Sequence, residues 1–216
     1  AGPVVARGYL ARPELSAERF GPDPVAGPGG RMYRTGDLGR RLPDGGIEYL
    51  GRQDFQVKIR GFRVELGEIE AQLMAWPGVR EAGVLAREDV PGLKRLVAYF
   101  SPVDPAAPVD IEALRRHLAA QLPDYMVPVG YVQLEALPHS PNGKLDRKAL
   151  PKPGRGRPDW AGPYAAPRTP VEAALCRIFA DVLDLEELGR DDGFFDLGGT
   201  SLLAIRVLEA ARREGV

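Results

Sequence analysis

The sequence predicts an α+β subdomain set between a β-rich opening and an all-α closing segment. Three observations carry that reading. Around residues 55–76 the apolar period changes from two to that of a helix. The elements that follow complete the order β-α-β-β-α-β, the pattern of a small α+β unit. A Pro- and Gly-rich stretch at 151–168 then separates a capped amphipathic helix from everything before it.

Residues 1–50 are rich in Gly and Pro, with short apolar runs. VVARGYL is expected to end a strand, SAERF to form a helical turn and GPDPVAGPGG a loop. Those glycines fit neither GxxxxGK[ST] nor GxGxxG, so no phosphate loop is read there. Thr35-Gly36-Asp37, taken alone, is a tight turn, and IEYLGR after PDGG is a hairpin strand. Phe55, Val57 and Ile59 alternate with Gln56, Lys58 and Arg60, as in a half-buried strand that Gly61 breaks. From Glu65 a helix is expected, with Leu66, Ile69, Leu73 and Trp76 on one face.

PGVREAGVLARED and RLVAYF alternate around Pro91-Gly92 and predict an antiparallel pair. A helix is predicted from Asp110, with Ile111, Leu114 and Leu118 inward and a stop at Pro123. GYVQLEAL reads as a further strand, and Asn142-Gly143 as a turn. Five prolines and three glycines among residues 151–168 mark a linker reaching roughly 50 Å when extended. Beyond it, Thr169 is a natural N-cap, Pro170 suits the first helical position and Glu172 closes a capping box. Val171, Leu175, Ile178, Phe179 and Val182 form the expected buried stripe, with Cys176 beside it as packing.

The order of residues says more than their composition. GRQDFQVKIRGFRVELGEIE, residues 51–70, resembles the hinge motif of amino-acid-activating adenylation domains of nonribosomal peptide synthetases, within the adenylate-forming enzymes. VARGYL, YRTGDL, LPDYMVP and NGKLDR resemble further motifs of the same family, in the same order. FFDLGGTSLLAIRV resembles a peptidyl carrier domain around its modification site; where the family more often has His or Asp, this chain has Thr200. The resemblance implies the end of an adenylation N-terminal subdomain at 1–53, its α+β C-terminal subdomain at 54–150, the linker at 151–168 and the first half of a four-helix carrier bundle at 169–216.

The family's site residues carry over to matching positions. Lys144 matches the catalytic lysine, and the chemistry has a clear need for it. A carboxylate attacking the α-phosphate of ATP brings two anions together, and a compact cation offsets them. Asp37 and Arg52 match contacts to the ATP ribose; an acceptor-only carboxylate suits a vicinal diol. Asp54 matches the hinge residue. Gly61 matches a glycine past which the pantetheine arm runs, where a Cβ would obstruct. Ser201, alone a helix N-cap, matches the serine that receives phosphopantetheine. Leu150-Pro151-Lys152-Pro153 matches a pattern that pins the linker's start to the subdomain, leaving Gly154 to Arg168 as tether.

The implied parent enzyme activates an amino acid with ATP, with Mg2+ expected, and loads it as a thioester on the carrier, as in antibiotic biosynthesis and other secondary metabolism. The family's phosphate loop and substrate pocket lie upstream of Ala1, so the fragment alone is expected to be inactive. Implied partners are the upstream N-terminal subdomain, a phosphopantetheinyl transferase, a downstream condensation or other synthetase domain, and a small MbtH-like protein at Arg12–Phe20. Two other readings stay open: an aryl or fatty acyl-AMP ligase fused to an acyl carrier, and a non-catalytic carrier or docking module. Net charge −1 gives no case for nucleic acid or an anionic membrane. A single cysteine, two isolated histidines and no membrane-length apolar run point to a reducing, cytoplasmic setting without a metal site.

Overall fold

The computed structural model describes residues 5–26, 29–52 and 56–216. These fall into two compact units that part between Arg52 and Gln56.

In the first unit Pro13 opens α1 (Pro13–Arg19), where its missing N–H costs nothing. Two antiparallel hairpins follow: β1 (Phe20–Pro22) with β2 (Arg31–Tyr33), and β3 (Asp37–Arg41) with β4 (Ile47–Arg52). Asp44 makes the second turn by accepting from the Gly46 N–H at 2.9 Å. Tyr9, Phe20 and Tyr33 pack ring to ring at 5.5 and 5.0 Å. The strand end expected at VVARGYL is not formed over Val5–Tyr9; the Tyr9 N–H bonds to the Ser16 hydroxyl of α1 instead of a strand.

The second unit begins with β5 (Gln56–Ile59) and β6 (Phe62–Glu65), an antiparallel hairpin. Its two turn residues, Arg60 (φ 51°) and Gly61 (φ 85°), are both left-handed, as a hairpin turn that follows strand twist requires. β6 was not expected from the sequence. The chain folds back before α2 (Leu66–Met74), whose predicted stripe is buried at Leu66, Ile69 and Leu73, whereas Trp76 lies past the helix end and packs on the same core only partly buried. β7 (Val79–Val90) and β8 (Leu93–Pro102) are the predicted antiparallel pair. Asp110 caps α3 (Ile111–Gln121) through the Ala113 N–H, and β9 (Gly130–Gln133) returns parallel to β8. β9 is shorter than the GYVQLEAL run.

The sheet order β7-β8-β9 makes β8 central, and Val97 to Phe100 are fully buried. Alternate residues serve two cores, as expected of a strand covered on both faces. Ala98 and Phe100 meet α2 and α3 residues Ile69, Leu73, Leu114 and Leu118. Val97 and Tyr99 meet Leu137 and Leu150 on the other face.

The closing segment holds α4 (Pro170–Leu183) and α5 (Ser201–Glu214), with Ile178, Leu183, Leu203 and Val207 between them. Thr169 caps α4 as predicted, its hydroxyl accepting from the Glu172 N–H. Glu172 reaches one residue further back than a capping box requires, to the Arg168 N–H at 2.6 Å. Val171 is 54% exposed and leaves the predicted stripe, which Leu183 joins instead. Residues 154–168 are not the free tether expected from their composition. Glu186 N–H donates to Arg155 O at 2.8 Å, and Arg190 N–H to Ala165 O at 2.9 Å.

Candidate functional site

The predicted site residues lie on four local structures. Asp37 opens β3, directly after the left-handed Gly36 (φ 82°), and its Cα pairs in register with that of Arg52 on β4. The two positions assigned to one nucleotide are therefore opposite each other on one hairpin. Asp37 is exposed, beside a hollow lined by Arg19, Tyr33, Arg34 and Thr35. Asp54 lies outside the described residues.

Lys144 ends the tight turn Ser140–Lys144, where the Ser140 N–H donates to the Lys144 carbonyl at 2.8 Å. Its side chain is exposed, while the chain directly after it is anchored. Leu145 lies so close to β7 that a Cβ at Gly83 would collide with it. Arg147 donates to Glu70 of α2 at 2.7 Å, and the same Glu70 oxygen accepts from the Val84 N–H. An exposed cation thus stands on a rigid base, so little ordering is needed to place it. Sequence reading missed Glu70 and Arg147 because the partners are 77 residues apart.

Ser201 is the first residue of α5 and is exposed. The N-cap role considered for it belongs to Thr200, whose hydroxyl accepts from the Leu203 N–H at 3.2 Å. With the cap supplied one residue earlier, the Ser201 hydroxyl is not needed to satisfy the helix end. Gly199 is tightly packed before it: an added Cβ would stand 2.5 Å from the Phe194 carbonyl oxygen and overlap the Phe194 ring. Gly199→Ala is expected to cost the carrier about 1–3 kcal/mol, as overpacking does. Denaturant unfolding checks it, and an unchanged midpoint would show that the loop yields.

A bidentate ion pair fixes the long loop ahead of Ser201. Arg157 Nε and Nη2 donate to the Asp192 carboxylate at 2.7 and 2.6 Å, and the side chains are only 10% and 3% exposed. Burial works against the Asp192 charge, but the Arg157 and Gly189 N–H donors hold its carboxyl below the usual range. Arg157 also donates to the Ala161 and Gly162 carbonyls. Further up the chain, Tyr99 donates to Pro151 O at 2.8 Å, beside buried Leu150. Gly61 and Ser201 face no common contact, yet the turn before the one and the loop before the other border one cleft, through Arg60 and Phe195-Asp196. Lys144 does not line it.

Residues 68–144 match the family described as AMP-binding enzyme C-terminal domain, and residues 173–216 match the phosphopantetheine attachment site. A dimodular nonribosomal peptide synthase of Bacillus subtilis (strain 168) is 54% identical over 98% of this chain. Tyrocidine synthase 2 of Brevibacillus parabrevis is 51% identical over 95% of it. The chain belongs to the nonribosomal peptide synthetases. A solved structure of a holo NRPS protein containing adenylation and PCP domains, bound to a vinylsulfonamide inhibitor, is 31% identical with a TM-score of 0.66. That match covers 98% of this chain and 33% of the other. The chain spans 9% and 6% of the two synthetases' lengths. The match to the AMP-binding enzyme C-terminal domain takes in most of α2, β7, β8, α3 and β9, and the match to the attachment-site domain takes in most of α4 and all of α5. Among the described residues no helix is long and apolar enough to cross a membrane, and no cluster of His, Cys, Asp or Glu could hold a metal ion.

Proposed function

We propose that this chain is part of a synthetase module that activates an amino acid with ATP as aminoacyl-AMP and passes it to a thiol carried at Ser201. The observation that carries the reading is the relief of Ser201 from cap duty by Thr200, inside a matched attachment-site domain that follows a matched AMP-binding domain. An exposed hydroxyl in the first turn of a helix fits a bulky covalent group without rearranging the core. When attached, phosphopantetheine supplies the thiol; the chain's part is to present Ser201 and to move it.

On this reading Asp37 and Arg52 hold the ATP ribose from one hairpin, and Lys144 offsets the charge that gathers as a carboxylate attacks the α-phosphate. The hinge is at Asp54, between 1–53 and the subdomain 54–150, and the division of the chain into two compact units after Phe55 supports a hinge in that stretch. Gly61 leaves room for the arm at a turn that already needs a left-handed residue. A phosphopantetheinyl transferase, the rest of the adenylation domain, a downstream synthetase domain and an MbtH-like protein at Arg12–Phe20 complete the proposed partners.

The test is modification of the full-length protein by coenzyme A and a phosphopantetheinyl transferase, read by intact mass. One arm is expected on the unaltered protein and none on Ser201→Ala. An arm that remains on Ser201→Ala would move the site elsewhere.

A further inference from the structure

Lys144 stands near the tip of a small lobe. The two sides of the lobe run antiparallel: His139 pairs with Leu145, and the Asp146 N–H donates to Pro138 O at 2.8 Å. Residues 141–144 at the tip are exposed, so the lobe is held from its base. Two contacts at that base land on adjacent residues of β7, an edge strand of its sheet. Leu145 lies against Gly83. Arg147 reaches the next residue through an acid. Glu70 of α2 accepts from the Arg147 guanidinium at 2.7 Å and, with the same oxygen, from the Val84 N–H at 2.9 Å. An apolar contact is non-directional, whereas a charge-assisted hydrogen bond fixes orientation. Leu145 therefore holds the lobe on β7, and the Glu70–Arg147 pair sets its angle. In the sequence, Glu70 closes the run 51–70 and Arg147 lies in NGKLDR, the runs that resemble the family's hinge and lysine motifs.

We propose that Glu70 and Arg147 are positioning residues for acid activation. Through their ion pair the Lys144 lobe and α2 move as one body, so that motion of the subdomain delivers the ammonium to the reacting phosphate. This rests on the reading of Lys144 as the charge that offsets the attack at phosphorus. A lysine stem is flexible, and a lobe free to tilt would spread the ammonium further. A displacement of about 1 Å is enough to cost about 10²-fold in rate. The pair acts through Lys144 and has no part in the second half-reaction.

Separate assays of the two half-reactions on the full-length protein test this. Arg147→Met keeps the length of the side chain and loses the donors. It is expected to lower kcat of ATP–pyrophosphate exchange about tenfold with little change in KM for ATP, and to leave transfer from supplied aminoacyl-adenylate within about twofold. Arg147→Lys, which can still meet the carboxylate, is expected to recover most of the loss. Lys144→Ala supplies the deciding background: with the ammonium gone its placement no longer matters, so adding Arg147→Met is expected to cost nothing further. Losses that multiply in the double variant, or equal losses in both half-reactions, would mean that the pair only supports the fold and would overturn the proposal. Glu70→Gln, which keeps an acceptor for the Val84 N–H, is expected to repeat the pattern at a smaller size and serves where Arg147→Met folds poorly. If Lys144→Ala slows exchange while Arg147→Met and Glu70→Gln do not, the positioning role is refuted and the reading of Lys144 stands. If Lys144→Ala leaves exchange unchanged, that reading falls and this proposal with it.

Discussion

Replacing Lys144 with alanine in the full-length protein is expected to lower acid activation by about 10²- to 10³-fold, the usual loss when one transition-state donor is removed. The expectation comes from where the ammonium stands. It sits on an exposed turn, but Leu145 is packed on Gly83 and Arg147 is bonded to Glu70, so the substitution removes a charge and leaves the turn in place. ATP–pyrophosphate exchange measures the first half-reaction. Transfer from supplied aminoacyl-adenylate measures the second, which is expected to change far less because the charge conflict at phosphorus is already over. Equal losses in both would end the proposed division of labour.

The second large effect is structural. Arg157→Ala leaves Asp192 buried with its best donor gone, and breaking such a pair from one side costs about 3–5 kcal/mol. Hydrogen exchange should rise in residues 155–166 and 189–193, the segments joined by the Arg157, Gly189 and Arg190 bonds. The effect has a pH signature. The folded state holds the Asp192 carboxyl below its ordinary value, so the pair's contribution is present above the unfolded value of about 3.9 and is lost as pH falls through the folded one. The gap between variant and parent should therefore be widest near neutral pH and close in acid. A gap of constant size would place the damage in packing and not in the pair.

Much of this was legible in the sequence where the signal is local. Leu66, Ile69 and Leu73 of α2 follow from spacing alone, and so does the Thr169 cap. Where two hydroxyls adjoin, spacing cannot decide which one caps, and the choice of Thr200 over Ser201 needed the backbone. β6 was hidden because Phe62 to Glu65 is too short an alternation to stand out against the helix that follows. The docked linker was illegible for another reason. Proline and glycine report only that no helix or strand is forming, and the residues that fasten the segment, Arg157 and Asp192, are 35 apart. Arg115 likewise reads as one more cation on a solvated helix until Trp160 is folded over it.

The fastened linker also sets how far the carrier can travel. With Pro151 held by Tyr99 and Arg155 held by Glu186, only Lys152 to Gly154 lie between anchors. Three residues span about 10 Å at full stretch. Within that leash the carrier can pivot in place but cannot sweep. A longer excursion requires the Arg157–Asp192 clasp to open together with the Glu186–Arg155 and Arg190–Ala165 bonds, releasing the slack stored behind them. Range is thereby set by fastenings and not by chain length.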